Sequence, residues 1–212
     1  MSCIVLTLFA LAPRAQAQAA PPDETSRFYA EFTGGATFGH KSSGSIGAEG
    51  GYRISGPFLV FFEVGHMFNI GSSDLDARAQ TIGDAVGAST NAAQHITYYD
   101  GGLRYNLKHR VKMFDPYLAL GFGAASVNTE TALIVNGTVV PPESLGVQFG
   151  DDLNGTVTKA FITFGGGFNY TFKTKYFADF SLRYGHVLTS GDIENDTGIN
   201  TLRAQFGVGM RF

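Results

Sequence analysis

The last eleven residues restrict this chain more than any other stretch. Leu202, Ala204, Phe206, Val208, Met210 and Phe212 alternate with Arg203, Gln205, Gly207, Gly209 and Arg211. Successive side chains of a strand point to opposite faces, so a period of two gives one apolar and one polar face. The same spacing gives a helix no continuous apolar stripe. Alternation that runs to a terminal aromatic is the pattern of the last strand of a transmembrane β-barrel, polar inside and lipid-facing outside.

The alternation recurs upstream and predicts seven more strands. They lie at about 27–39, 45–54, 58–68, 96–107, 116–126, 160–172 and 176–187. Each has the roughly 9–13 residues that a tilted strand needs to cross a bilayer. Ser55-Gly56-Pro57, 108–115 and Lys173-Thr174-Lys175 read as short turns, and 69–95, 127–158 and 188–200 as long polar loops. The long loops carry mostly acids, Asp74, Asp76, Asp84, Glu130 and Glu143 among them, whereas two of the turns are basic. Phe58, Tyr105, Tyr170, Phe172, Tyr176 and Phe212 gather on the turn side, as in a membrane-interface girdle. Short turns beside both termini place those termini in the periplasm.

Composition bounds the rest. The 212 residues have room for one domain and a leader. A formal charge of −3 argues against a nucleic-acid partner, which selects a basic face. After the first twenty residues no apolar run reaches the about 18 that a membrane helix needs. Ile4 to Ala12 forms a short apolar core followed by Ala15-Gln16-Ala17 and Ala17-Gln18-Ala19, two small-x-small sites. We therefore expect a signal peptide at 1–19, a periplasmic lead-in at 20–26 and the barrel at 27–212. The only cysteine, Cys3, lies in the leader, so no disulfide is expected in the mature chain.

Alternation alone also fits a soluble barrel turned the other way, apolar inside. The polar face separates the two. It is built of Gly, Ser and Thr with single charges of both signs, unlike the Lys- and Glu-rich surface that water favours. Glu31, Glu49, Glu63, Asp100 and Asp179 share that face with Arg53, Arg104, Arg183, Arg203 and Arg211. Buried charges persist when paired, and the lumen of eight strands is just wide enough to be filled by side chains. The expectation is a salt-bridged, partly hydrated plug and no open pore.

Several segments carry a family resemblance. They are Pro116-Tyr117-Leu118-Ala119-Leu120-Gly121-Phe122-Gly123, Gly165-Gly166-Gly167-Phe168-Asn169-Tyr170, Leu182-Arg183-Tyr184 and Gly207-Val208-Gly209-Met210-Arg211-Phe212. With the strand pattern of 27–212 they resemble the eight-stranded outer-membrane β-barrel family typified by the transmembrane domain of outer-membrane protein A. The resemblance implies an all-β, antiparallel up-and-down barrel. It also implies insertion by the barrel assembly machinery, which reads the terminal strand, here Phe206, Val208, Met210 and Phe212.

Chemistry-bearing residues are few. Arg183-Tyr184-Gly185-His186 followed by Asn195-Asp196-Thr197-Gly198 looks like the lipid A 3-O-deacylase barrel family, where a His-x-Ser-Asn stretch precedes Asn-x-Gly. A serine hydrolase needs its base beside its nucleophile, but the serine position holds Leu188 and no acidic partner is evident in the next strand. His40, His66, His95 and His186 fall near strand ends. His66 and His95 share one hairpin, where a shared metal or joint protonation competes with a plain interfacial role. Asp192 to Gly198 imitates a calcium loop with its glycine one place late. The Gly-x-Gly runs lie inside strands with no helix following, so they are not nucleotide loops. No catalytic residue, metal or cofactor is expected.

The reading is an outer-membrane barrel of a Gram-negative-type envelope with a structural or surface-interaction role: envelope integrity, adhesion or recognition through its loops. Expected partners are outer-membrane lipids, lipopolysaccharide, the assembly machinery and an extracellular ligand. A lipid A hydrolase and a narrow porin-like channel are the alternatives.

Overall fold

The alternating segments become eight long antiparallel strands that close on themselves. A computed structural model describes residues 26–107, 113–150, 153–188 and 198–212. The ring comprises β1 (Phe28–Phe38), β2 (Ser42–Ser55), β3 (Phe58–Met67), β4 (Ser89–Asn106), β5 (Phe114–Val135), β7 (Gly155–Thr171), β8 (Tyr176–Val187) and β9 (Ile199–Arg211). Each pairs with its neighbour in the ring, and β1 pairs with β9 to close it. Phe212 and Phe28 exchange two backbone hydrogen bonds of 2.8 and 3.3 Å at the seam. The short β6 (Thr138–Val140) pairs only with β5, outside the ring. The expected leader at 1–19 and nearly all of the lead-in fall on residues 1–25, which lie outside the described residues.

The outward face decides between the two barrels. Phe32 is 74% exposed and Phe122 63%, and Phe62, Leu120, Phe164, Leu182 and Val208 stand out from the same surface. A water-soluble barrel would bury these side chains; a lipid-facing one exposes them. Among the described residues no helix is long and apolar enough to cross a membrane, and the strands carry the span. Phe58 and Tyr105 meet at 5.1 Å and Phe172 and Tyr176 at 6.3 Å, at the end that holds the termini. Inward, bulky side chains fit because glycines oppose them: a Cβ on Gly65 would come within 2.3 Å of the Tyr98 hydroxyl.

The end opposite the termini differs from the sequence reading. Segment 69–95 is not the loop that its polarity implies. It holds α1 (Ser73–Val86) and the first seven residues of β4. Likewise 127–158 contains nine residues of β5, all of β6 and the first four residues of β7. The inward half of the alternation continues there as Ala92, Gln94, Thr129, Thr131 and Leu133, all buried. The outward half changes from Phe and Leu to Thr, Ser and Asn, so a reading keyed to outward apolar residues stops at the edge of the belt. Asn136 and Gly137, both at positive φ, turn β5 into β6.

α1 is locally specified. The Ser72 hydroxyl accepts the Leu75 amide at 3.2 Å, and Gly87 ends the helix at φ 67°. Leu75 and Ala79 pack on Ala92 and Leu153. Lys41 pins the helix, donating at 2.9 Å both to Asp76 and to the Ala92 carbonyl. The raised parts of β4, β5 and β7, with α1 against them, form a wall on one side of the mouth.

Candidate functional site

Register turns separated acids into a single row. Glu31 lies opposite Glu49, Glu49 opposite Glu63, and Glu63 opposite Asp100, across β1, β2, β3 and β4. Like charges directly opposed on a sheet repel, so the row needs cations from elsewhere. Arg183 and Arg203, themselves directly opposed on β8 and β9, supply them across the lumen. Arg183 donates to Glu49 at 2.5 Å and to Glu63 at 2.7 Å, and Arg203 donates to Glu63 at 3.0 Å. Arg104 on β4 reaches Glu49 at 2.5 Å. All seven of these side chains are buried.

Tyrosines complete the network, and sequence reasoning assigned them no part in it. Tyr29 donates to Glu49, Tyr98 to Glu63 at 2.8 Å and Tyr117 to Asp179 at 2.8 Å. Arg104 stacks over Tyr117 at 3.9 Å and Arg203 over Tyr98 at 4.2 Å, so each guanidinium has carboxylate at its edge and a ring on its face. The available signal was a tyrosine at an inward position opposite an inward glycine, as with Tyr29 and Gly51. Thr163 donates to Asp100 at 2.6 Å. Glu31 makes no hydrogen bond among the described residues, and its nearest cation is Arg104 at 3.5 Å.

Two of the ten expected network residues stand apart. Arg211 donates to Thr171 at 2.8 Å and to Asp115 at 3.2 Å at the terminus end. Arg53 is half-buried near the same end, its amide bonded to the Arg27 carbonyl. The central layer therefore holds five carboxylates (Glu31, Glu49, Glu63, Asp100 and Asp179) against three arginines.

Nearer the raised wall the lumen turns apolar. Met67, Ile70, Ile96, Phe161 and Val187, each 0% exposed, pack with Tyr98, Ala125 and Val127. The pattern of charges in the sequence gives no sign of this stopper, because its residues are drawn from five segments. Charge layer and apolar cluster thus follow one another along the lumen.

At the rim, His66 and His95 stack at 6.0 Å. The Asn69 amide donates to His95 Nδ1 at 3.3 Å, which leaves the proton of the neutral ring on Nε2. Among the described residues no three His, Cys, Asp or Glu side chains are grouped to hold a metal. His186 Nδ1 lies 2.7 Å from Asn200 Oδ1 across the β8–β9 ladder. An amide thus fills the place of an acidic partner, and Leu188 that of the serine. Thr189, Ser190 and residues 192–197 of the calcium-like loop lie outside the described residues. On β9 Phe206 and Val208 face outward and are about half exposed, as is Phe212 just after it, and Met210 shares the outward face.

Comparison with known proteins agrees with this architecture. The family model described as outer membrane protein beta-barrel domain matches residues 1–212. The crystal structure of Neisserial surface protein A is similar with a TM-score of 0.56 at 12% identity, covering 87% of this chain and 97% of that one. The outer membrane protein OprG from Pseudomonas aeruginosa gives 0.53 at 9% identity, covering 92% and 98%. The N-terminal β-barrel domain of OprF from the same organism gives 0.51 at 15%, covering 88% and 99%. At these identities the likeness is one of fold. No curated protein matches the chain by sequence.

Proposed function

The chain belongs to the outer-membrane β-barrel family and lies in the cell outer membrane, and from that premise we propose that it is a non-conducting surface barrel whose work is done by its raised end. The observation that carries this reading is the pair of buried layers across the bore: a charge layer of carboxylates and arginines beneath an apolar stopper. Two such layers oppose free conduction, and α1 with the raised wall forms a built surface beyond the last residue of β3. The termini then sit in the periplasm, and the wall stands outside the cell. Phe206, Val208, Met210 and Phe212 serve as the assembly signal. Lipids and lipopolysaccharide surround the belt, and the role is structural or adhesive.

Purified protein in planar bilayers tests this directly. Silence is expected; regular single-channel steps would overturn it in favour of a narrow channel. The hydrolase alternative draws on His186 and its bond to Asn200. Mass spectra of lipid A from cells carrying His186→Ala should match those from cells with the unaltered protein. Loss of a deacylated species in that variant would make the barrel an enzyme.

A further inference from the structure

We propose that the outward face of the raised wall binds the uncharged sugars of the glycolipids that surround the barrel. The inference rests on the reading above that this end faces out of the cell. Its starting point is a change of chemistry within one step along three neighbouring strands. Tyr99, Ala124 and Ala160 form one outward row at the top of the apolar belt. The next row up is Thr97, Ser126 and Thr158, and the one above it His95, Asn128 and Thr156. The strands continue unbroken through the change, so the face that touches lipid tails below is the same rigid surface that meets whatever those lipids carry above.

What it offers is hydrogen bonding with little charge. Thr156 and Thr158 are exposed, and Ser126, Asn128 and Thr97 are half-exposed. Thr156 donates to Asn128 and Asn128 to Glu130, both at 3.0 Å, which holds the two strands' side chains in one ordered array. Hydroxyls and amides on a flat surface suit sugar hydroxyls, which both donate and accept. Phosphate recognition calls for Arg or Lys, and neither projects from this face in the described parts of β4, β5 and β7, where Glu130 supplies a repelling carboxylate. A protein partner of ordinary affinity would need a buried apolar or aromatic anchor; the two rows just named hold no aliphatic side chain, and the exposed Val139, opposite Ile134, lies higher on the wall, so the sugar surface is these two rows. The wall rises seven residues beyond the end of β3, about 23 Å of extended strand, enough to line several sugar units.

The test uses the full chain in phosphatidylcholine nanodiscs, titrated with a delipidated, dephosphorylated core oligosaccharide of lipopolysaccharide and followed by amide NMR. Shifts confined to 89–97, 126–132 and 156–158 are expected. The double variant Asn128→Ala with Thr156→Ala should weaken binding about tenfold while the folded form keeps its gel mobility. No shifts, shifts only elsewhere, or shifts that need the phosphorylated oligosaccharide would each overturn the proposal. Orientation is asked separately: Thr158→Cys in a Cys3-free chain is labelled on intact cells by a membrane-impermeant maleimide. Absence of labelling would remove the outward reading itself. Labelling without sugar shifts would remove only this inference.

Discussion

Apart from Arg104 on β4 and Asp179 on β8, the two sides of the lumen differ in sign. The β1–β4 side presents Glu31, Glu49, Glu63 and Asp100 in one cross-strand row, whereas the β8–β9 side presents Arg183 directly opposite Arg203. Each side alone stacks like charges on adjacent strands, which destabilises a sheet. Only closure of the ring brings Arg183 to Glu49 and Glu63, and Arg203 to Glu63. The lesson is that the charge layer selects the closed barrel over its open halves. The apolar stopper, drawn from strands on both sides, favours closure without regard to sign.

The comparison breaks first at Arg183, which bridges two acids of the row. Removing one partner of a buried pair leaves charge uncompensated, so Arg183→Ala should cost about 4 kcal/mol, read as the urea midpoint in detergent micelles. An unchanged midpoint would mean that the row does not depend on the far side. Phe161→Ala, in the stopper, should cost about 3 kcal/mol through the cavity it leaves. It should also separate the two layers: if the stopper is the barrier, this variant conducts in planar bilayers while Arg183→Ala stays silent, and the reverse result would move the barrier to the charge layer.

Glu31 sharpens the comparison from the other direction. It sits in the row without a hydrogen bond and across from Glu49. Glu31→Gln removes a repulsion and leaves no arginine stranded, so it should raise stability by about 1 kcal/mol. A loss as large as that of Arg183→Ala would show that the Arg104 contact at 3.5 Å matters more than its length implies. The smallest effect lies outside the lumen. Lys41→Met unpins α1 from Asp76 at a partly exposed site, for about 0.5 kcal/mol after solvent screening. Hydrogen exchange should quicken across 73–86 and not in the strands; uniform exchange throughout would mean that the helix was never held by this contact.

Much of this was legible beforehand, and the failures share a cause. Strand number, faces and the identity of the inward charges follow from parity, which any alternating segment displays. The raised wall escaped because its outward side is hydrophilic, so Asn91, Asn128 and Thr156 look like loop residues once the apolar partner of each pair is gone. Arg53 and Arg211 have the right parity but the wrong height, and parity carries no height. The tyrosines that hold Glu49, Glu63 and Asp179 were visible as inward residues, but their aim depends on glycines that are adjacent only across strands.

The sequence by itself determined the compartment and the kind of barrel, because a period of two with apolar residues on one face and glycine, hydroxyl and paired charge on the other is stable in only one solvent arrangement. Tertiary structure alone decided which charges meet, where the charge layer gives way to the apolar cluster and which strands extend past the others. Those depend on register between strands far apart in the chain, and a shift of two residues would preserve every face while changing every partner.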